Sequence, residues 1–291
     1  MTASPRIPSV KISAVVSDVD GTLVTDNKIL TARSRAAVAR LHARGINFAI
    51  ISSRPPRGLS KLLAPLGITT PVCGFNGGVI AKPDLSIITE HLLSAETARR
   101  AVGLLDKQDV VVWVFAGQDW FVRDSDGPYI GFEERTVGFR PTVVADFDDV
   151  LDIAAKVVGV SKHFEILAQR ERDVRAVLAD EATVVRSQPY YLDITHPLAN
   201  KGVALSEIAR LLGLPLAEIA VIGDGGNDIA MFERGGLSIA MGNASPEVQQ
   251  AADFVTAGNC GDGFATAIDR FILGGARSNE QVAFARGGGR A

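Results

Sequence analysis

The feature that most constrains this chain is a short apolar run that ends abruptly in two acidic residues. Residues 15–23 read Val-Val-Ser-Asp-Val-Asp-Gly-Thr-Leu. Alternate residues of a strand face the same side, so Asp18 and Asp20 leave the end of a predicted strand together. Two unit charges about 4 Å apart repel by about 1 kcal/mol in water, and by about 4 kcal/mol at an effective dielectric of about 20. We therefore predict that a metal ion, a proton or a cationic group joins this pair of carboxylates.

The same Asp-x-Asp-Gly pattern also opens calcium-binding EF-hand loops. Counted from Asp18, such a loop requires Gly at its sixth position and Glu at its twelfth. This chain has Leu23 and Ile29 at those two positions. The apolar strand before the motif is equally unsuited to a helix-loop-helix unit. A plain Asp-Gly turn remains the structural alternative to a catalytic or metal-binding pair.

Short apolar runs alternate with helical patterns at both ends of the chain. Such an alternation is typical of a parallel sheet that is covered by helices on both faces. Near the N-terminus we predict strands at residues 12–17, 47–51 and 71–75 and helices at about 31–44 and 59–66. After residue 200 we predict helices at 201–212 and 228–234 and strands at 219–222 and 237–240. The fold class is therefore α/β, with a Rossmann-like parallel sheet core.

The middle of the chain has a different pattern. Its strands are longer, more aromatic and paired, as in the predicted hairpin of residues 110–115 and 119–123. The other predicted elements here are strands at 157–167, 183–186 and 190–194 and helices at about 95–106, 149–155 and 171–179. We therefore predict a discontinuous core of residues 1–82 and 196–275, an inserted α+β domain of residues 83–195, and a flexible tail of residues 276–291.

Composition excludes several classes of protein. The chain has 291 residues, 47% of them hydrophobic, which is ample for a core, and a net charge of −3 gives no electrostatic reason to bind nucleic acid. No apolar run approaches the length of a membrane span. Its two cysteines, Cys73 and Cys260, have no metal-type spacing, so we expect no structural disulfide and a cytoplasmic location.

Three further polar motifs follow predicted strands or open a helix, and in open α/β sheets ligands bind at the carboxyl ends of the strands. Ser52 and Ser53 follow the second strand, where a hydroxyl and free N–H groups suit an anion, although Ser52 could simply cap a helix. Lys201 opens a helix, an unfavourable position for a cation unless an anion is near, although a solvated lysine is the alternative. Residues 223–228 read Gly-Asp-Gly-Gly-Asn-Asp, which matches neither dinucleotide-binding nor P-loop spacing.

Taken in order, these four motifs resemble those of the haloacid dehalogenase-like hydrolases, and specifically the Cof-type phosphatases that carry a large inserted cap of the C2B type. The resemblance covers about residues 12–270, including the stretches 239–244 and 259–263. It implies a Rossmann-like core with an α+β cap, and phosphatase activity that depends on Mg²⁺ and an aspartyl-phosphate intermediate.

The resemblance also implies a role for each motif residue. Asp18 would be the nucleophile and Asp20 the general acid and base. Phosphate oxygens would be held by Ser52, Ser53, Lys201 and Asn227. The Mg²⁺ site would involve Asp18, Asp20 through its backbone carbonyl, and Asp224, with Asp228 supporting the metal's waters or Lys201.

The predicted cap would select the leaving group of the substrate. The candidate selecting residues are Arg54, Asn76, Trp113 and His163, although an ordinary place in the cap core is the alternative for Trp113. We expect a small phosphorylated metabolite, such as a sugar phosphate or a phosphorylated cofactor, and a monomer or homodimer. A phosphomutase of the same superfamily and a non-catalytic sensor of a phosphorylated ligand remain alternative functions.

Overall fold

The computed structural model describes residues 11–274, so the predicted tail lies outside the described residues. The strands are β1 (Ala14–Ser17), β2 (Asn47–Ile50), β3 (Val72–Gly74), β4 (Val79–Ala81), β5 (Ile87–Glu90), β6 (Val111–Ala116), β7 (Asp119–Val122), β8 (Thr142–Val143), β9 (Ala154–Val160), β10 (Thr183–Gln188), β11 (Tyr191–Thr195), β12 (Ile219–Gly223), β13 (Leu237–Ala240) and β14 (Phe254–Val255). The α-helices are α1 (Ala32–Ala43), α2 (Ser60–Leu66), α3 (Ala95–Leu105), α4 (Ile130–Val137), α5 (Phe164–Leu178), α6 (Lys201–Leu212), α7 (Ile229–Phe232), α8 (Pro246–Ala251) and α9 (Gly263–Ala267).

The described chain divides into two compact units. The first unit contains residues 11–51, Leu62–Val72 and the residues from Lys201 onward, and the second contains Ser52–Lys61 and Cys73–Asn200. Helix α2 and strand β3 each contain residues of both units. The domain boundaries given above remain predictions.

The first unit is built on a parallel sheet in the strand order β14-β13-β12-β1-β2. Strand β1 lies between β12 and β2, with Ser17 in register with Ile222 on one side and Ile50 on the other. All four residues of β1 are buried, as the apolar run predicts for a central strand of a covered sheet. The predicted α/β class with a parallel sheet is confirmed, and the sheet places Asp18 at the carboxyl end of its central part.

Helix α1 shows why the alternation of strand and helix could be predicted locally. The Thr31 hydroxyl accepts a hydrogen bond from the backbone N–H of Ser34, which satisfies one free donor of the first turn. The helix buries Ala37, Val38 and Leu41. Gly45 follows its end with a φ of +69°, a conformation that favours glycine. Both predicted ends of this helix are correct to within a residue.

The second unit contains a sheet in the strand order β10-β11-β9-β6-β7-β8, antiparallel except between β7 and β8. The predicted hairpin is β6 paired with β7. Alternate residues of β6 belong to two clusters on the two faces of this sheet. Val112 and Val114 pack with residues of α3 and α5, whereas Trp113 and Phe115 pack with an aromatic cluster that includes Trp120. A separate three-stranded sheet has the order β3-β4-β5.

Two sequence-based predictions in this unit are wrong. The predicted helix at 149–155 is a 3₁₀ helix at Asp148–Ile153 followed directly by strand β9. The predicted strand at 157–167 ends at Val160, and α5 begins at Phe164 rather than near residue 171. Phe164 and Ile166 alternate with the polar His163 and Glu165 and so fit a strand pattern, but Phe164 is exposed on the first turn of the helix.

No helix within residues 11–274 combines the length and the apolar character needed to cross a bilayer.

Candidate active site

Asp18 is the first residue beyond strand β1, and the sheet holds its backbone. The Asp18 N–H donates to the carbonyl oxygen of Ile222 at 2.9 Å, continuing the ladder between β1 and β12. The Ser17 hydroxyl donates to the Asp18 carbonyl oxygen at 2.6 Å. Only 5% of Asp18 is exposed. The carboxylate is therefore positioned by rigid backbone and shielded from bulk water.

Lys201 bridges two buried carboxylates. Its Nζ lies 2.6 Å from Asp18 Oδ1 and 2.6 Å from Asp228 Oδ1. The lysine is 1% exposed and Asp228 is completely buried. A buried ammonium is stable only when it is paired and hydrogen-bonded. A cation at the start of helix α6 also requires a nearby anion, and these two carboxylates are the anions. The alternative of a solvated surface lysine is excluded.

The second oxygen of Asp228 shapes the loop that follows β12. Its Oδ2 accepts hydrogen bonds from the N–H groups of Asp224 at 2.9 Å and Gly225 at 2.8 Å. A Cβ on Gly223 would lie 2.3 Å from the Asp228 carboxyl carbon, so only glycine allows this close approach. Asp228 thus holds both Lys201 and the Asp224 loop.

Asp224 is oriented by donors from two other parts of the chain. The Thr22 hydroxyl donates to its Oδ1 at 2.9 Å, and the Asn243 side-chain amide donates to its Oδ2 at 3.2 Å. The same amide donates to the Gly21 carbonyl oxygen at 3.0 Å. Sequence reasoning gave Thr22 and Asn243 no role, although both lie in stretches that carried the family resemblance.

Asp20 has a different partner from the other carboxylates. Its Oδ1 lies 2.8 Å from Nζ of Lys28, and both side chains are partly exposed. Lys28 was not predicted from the sequence, because a single lysine in a polar loop carries no recognisable signal. Nearby, the Asn259 side-chain amide donates to the carbonyl oxygen of Val24 and to Asp26 Oδ1, each at 3.0 Å. These contacts fix the loop that follows the Asp18–Asp20 motif.

The electrostatics of the cluster favour an additional cation. Burial raises the pKa of Asp18 well above its usual value, although the charge of Lys201 acts to lower it. Burial and the charge of Asp228 raise the pKa of Asp224 to about 6. Burial alone would lower the pKa of Lys201, but its two carboxylate partners outweigh this and raise it. One ammonium therefore does not fully balance three closely placed carboxyl groups.

The donor set suits a hard divalent cation. Oxygen atoms of Asp18, Asp224 and Asp228 all lie within 4.8 Å of one another. Asp18 Oδ2 is buried and has no hydrogen-bond partner among the described residues, which is the state expected of an oxygen that binds a cation. Both oxygens of Asp224 and both of Asp228 already accept hydrogen bonds, so Asp18 Oδ2 is the best placed oxygen of the cluster. The site therefore fits a metal ion that prefers carboxylate ligands.

Other predicted site residues belong to the second unit. Ser52 is fully buried, its N–H donates to the Cys73 carbonyl oxygen at 2.9 Å, and its carbonyl oxygen accepts from the N–H of Asn76 at 2.8 Å. The Ser52 hydroxyl accepts from the Arg54 N–H at 3.2 Å, so the backbone of this loop is ordered around it. Ser53 is partly exposed. In the first unit, Asn227 is exposed in the loop after β12. The phosphate-binding roles of these residues remain predictions.

The two remaining candidates of the second unit occupy different environments. Trp113 is 1% exposed within the aromatic cluster, as the alternative of ordinary core packing predicted. His163 is exposed at the residue before α5. Their proposed role in substrate selection remains a prediction.

A family model described as haloacid dehalogenase-like hydrolase matches residues 15–268, and the chain therefore belongs to that family. It is 29% identical to YxeH of Bacillus subtilis over 268 residues, which cover 89% of this chain and 98% of that protein. It is 24% identical to the 5-amino-6-(5-phospho-D-ribitylamino)uracil phosphatase YcsE of Bacillus subtilis over 264 residues, which cover 91% and 97% of the two chains. It is also similar to the crystal structure of a haloacid dehalogenase-like hydrolase from Bacteroides thetaiotaomicron, with a TM-score of 0.83, 28% identity and coverage of 90% and 100%. The predicted family and enzyme class are confirmed.

Proposed function

We propose that this hydrolase is a Mg²⁺-dependent phosphatase that acts on small phosphorylated metabolites, such as sugar phosphates or phosphorylated cofactors, through an aspartyl-phosphate on Asp18. The observation that carries the proposal is the state of the Asp18 carboxylate. Lys201 holds its Oδ1 at 2.6 Å, whereas its Oδ2 is buried without a hydrogen-bond partner. The phosphatase YcsE, which this chain resembles over 91% of its length, supports the choice of a phosphate ester as substrate.

Each step has a residue suited to it. An oxygen of Asp18 bonds to phosphorus as the ester P–O bond breaks, and Asp20 gives its proton to the departing oxygen. A water molecule then attacks phosphorus, Asp20 takes a proton from that water, and the bond from phosphorus to Asp18 breaks. Inorganic phosphate leaves and both aspartates return to their starting states. Lys201 stabilises negative charge around Asp18 throughout.

Mg²⁺ would be held by Asp18 and Asp224, with the backbone carbonyl of Asp20 as a further ligand. When bound, it would neutralise charge on the phosphoryl oxygens. Asp228 would act indirectly, because its two oxygens hold Lys201 and the backbone of the Asp224 loop. Ser52, Ser53 and Asn227 would bind phosphoryl oxygens.

The test is release of inorganic phosphate from p-nitrophenyl phosphate and a panel of sugar phosphates, in Mg²⁺ or in EDTA. Wild type, Asp18→Asn and Asp152→Asn would be compared. Asp152 is an exposed aspartate of the second unit, so its substitution controls for the change of one charge. We expect turnover that requires both Mg²⁺ and Asp18 and is unaffected by Asp152→Asn. Turnover that survives in Asp18→Asn, or no turnover of any ester by folded wild type, would contradict the proposal.

A further inference from the structure

Asn243, in the loop between β13 and α8, joins three separate stretches of the first unit through one side-chain amide. Its Nδ2 group donates to the Gly21 carbonyl oxygen at 3.0 Å and to Asp224 Oδ2 at 3.2 Å. Its Oδ1 accepts from the backbone N–H of Asn259 at 2.9 Å. An amide NH2 group has two N–H donors, and both are used here on acceptors beside the proposed metal site.

The direction of the Asn243 amide follows from its partners. A backbone N–H can only donate, so the Asn243 atom that faces Asn259 is the carbonyl oxygen. The Gly21 carbonyl oxygen can only accept, so the atom that faces it is the nitrogen. Asn259 is buried, and its own side-chain amide donates to the Val24 carbonyl oxygen at 3.0 Å, which fixes this anchor. Asn243 therefore presents its N–H donors to Asp224.

The two acceptors of this amide belong to segments that carry two proposed ligands of the same ion. Asp224 is one of these ligands, and Gly21 directly follows Asp20, whose backbone carbonyl is another. A Cβ on Gly21 would lie 2.2 Å from Asp224 Oδ2, which shows how closely the two segments approach each other. By bonding to both segments, the Asn243 amide fixes the spacing between the two ligands.

An amide orients Asp224 without removing its capacity to bind a cation. Each oxygen of a carboxylate has two lone-pair sites, and the Asp224 oxygens accept one hydrogen bond each from Thr22 and Asn243, at 2.9 and 3.2 Å. Each oxygen therefore keeps a lone pair. The amide is also neutral, so it leaves the negative charge of Asp224 to attract a metal ion, whereas an ammonium in its place would repel that ion.

We propose that Asn243 is a positioning residue for the metal site, and that it sets the affinity for Mg²⁺ by holding Asp224 and the Gly21 backbone in the arrangement that the ion needs. This inference rests on the Mg²⁺ site of the proposed function. Asn243 is exposed, so its replacement creates no buried cavity and the fold should survive. Replacing a group that orients a metal ligand typically lowers metal affinity by about 10–100-fold.

The experiment measures Mg²⁺ affinity by isothermal titration calorimetry in wild type, Asn243→Ala and Gln249→Ala. The Gln249 side-chain amide donates to the carbonyl oxygens of Gly242 and Ala244, at 3.2 and 2.9 Å, and neither bond involves Asp224. Gln249→Ala is therefore the matched control, because it removes an amide that holds the same loop. Asn243→Ala should weaken Mg²⁺ binding by at least about tenfold, whereas Gln249→Ala should bind Mg²⁺ as wild type does.

Turnover of p-nitrophenyl phosphate gives a second measurement. Asn243→Ala should need about tenfold more Mg²⁺ than wild type to reach half of its maximal rate, with a KM for the ester near that of wild type. Asn243→Leu, which has a similar shape but no donor, should behave in the same way, and it replaces Asn243→Ala if that variant fails to fold.

The outcomes separate this inference from the function on which it rests. Unchanged Mg²⁺ affinity in a folded Asn243 variant overturns the inference and leaves the phosphatase proposal intact. Equal weakening in Gln249→Ala assigns the effect to order in the loop and overturns it as well. Wild type that binds Mg²⁺ but hydrolyses no ester refutes the phosphatase proposal alone, and the calorimetric comparison still decides the inference. Wild type that binds no Mg²⁺ refutes both.

Discussion

The Lys28 ammonium lies 2.8 Å from the Asp20 carboxylate, where it can hold in place the residue that the proposed reaction uses to move protons. Lys28 adopts a φ of +62°, and the loop bends back toward the Asp18–Asp20 motif at this residue. We infer that it positions Asp20.

Replacing Lys28 by Met should lower kcat by about two- to fivefold and change KM little. The expected effect is small because partly exposed ion pairs are worth about 1 kcal/mol or less. Steady-state kinetics with p-nitrophenyl phosphate would measure it, with Lys28→Arg as the variant that keeps the charge. An unchanged kcat in Lys28→Met would show that Asp20 does not depend on this ion pair.

Replacing Gly21 by Ala should remove metal binding and most activity. A Cβ at this position would lie 2.2 Å from Asp224 Oδ2, so the carboxylate must move, and the φ of +84° adds backbone strain. Gly45→Ala is the matched control. Gly45 also has a positive φ, +69°, but a Cβ there meets nothing within 4 Å.

The two glycine variants share the backbone cost of about 1–2 kcal/mol, so their difference isolates the displacement of Asp224. Both should unfold at lower temperature than wild type, but only Gly21→Ala should lose Mg²⁺ binding, measured by calorimetry. Equal Mg²⁺ affinities in the two variants would mean that Asp224 is not a ligand.

Replacing Asp228 by Asn should lower the free energy of unfolding by about 1–3 kcal/mol, because a buried charged group loses a partner. Asp228 now accepts hydrogen bonds from Lys201 and from the N–H groups of Asp224 and Gly225. The side chain of asparagine can accept only some of these bonds. Urea denaturation in EDTA would measure this change without a contribution from metal binding. A stability equal to that of wild type would show that the Asp228 charge is not needed to hold Lys201.

The affinity for Mg²⁺ should rise with pH across the range from about 4 to 7. The pKa of Asp224 is about 6 in the folded protein against 3.8 for an ordinary aspartate, so below pH 6 a proton competes with the metal. The sign for the metal-free protein is the opposite. Its folded state binds the Asp224 proton more tightly than the unfolded state, so this group's contribution to stability is present below pH 3.8 and is lost as the pH rises through about 6.

Thermal unfolding with and without Mg²⁺ at pH 5 and pH 7.5 would check this prediction. The increase in Tm caused by Mg²⁺ should be larger at the higher pH. An increase that is equal at the two pH values would mean that the metal does not displace a proton from the cluster.

Local patterns in the sequence were enough to locate the Asp18–Asp20 motif at the end of a strand and several elements around it. Helix α6 and strand β13 were predicted with the ends that the structure shows. Each has a clear hydrophobic period with a local start or stop signal. That Lys201 belongs to the same site as Asp18 was implied by the family resemblance, and by itself the sequence offered only the unfavourable position of a lysine at a helix start.

The buried ion pair of Lys156 and Asp193 in the second unit could not be predicted in this way. Lys156 is a single charge within the buried strand β9, and Asp193 is a single acid in β11. Only the register of the sheet, which sets Val158 opposite Asp193, brings the two charges together. The wrong assignment of residues 157–167 as one strand also hid where β9 ends.

The strand order of the first unit has a consequence for how the enzyme is made. Strand β1, near the start of the chain, pairs with β12, whose Ile222 also accepts the N–H of Asp18. A ribosome must therefore synthesise the whole of the second unit before Asp18 acquires its backbone partner. Pairing of such distant segments is slow, because a long loop must close before any contact is gained. During most of its synthesis the nascent protein therefore lacks this backbone contact, and the proposed phosphoryl-transfer centre is assembled late.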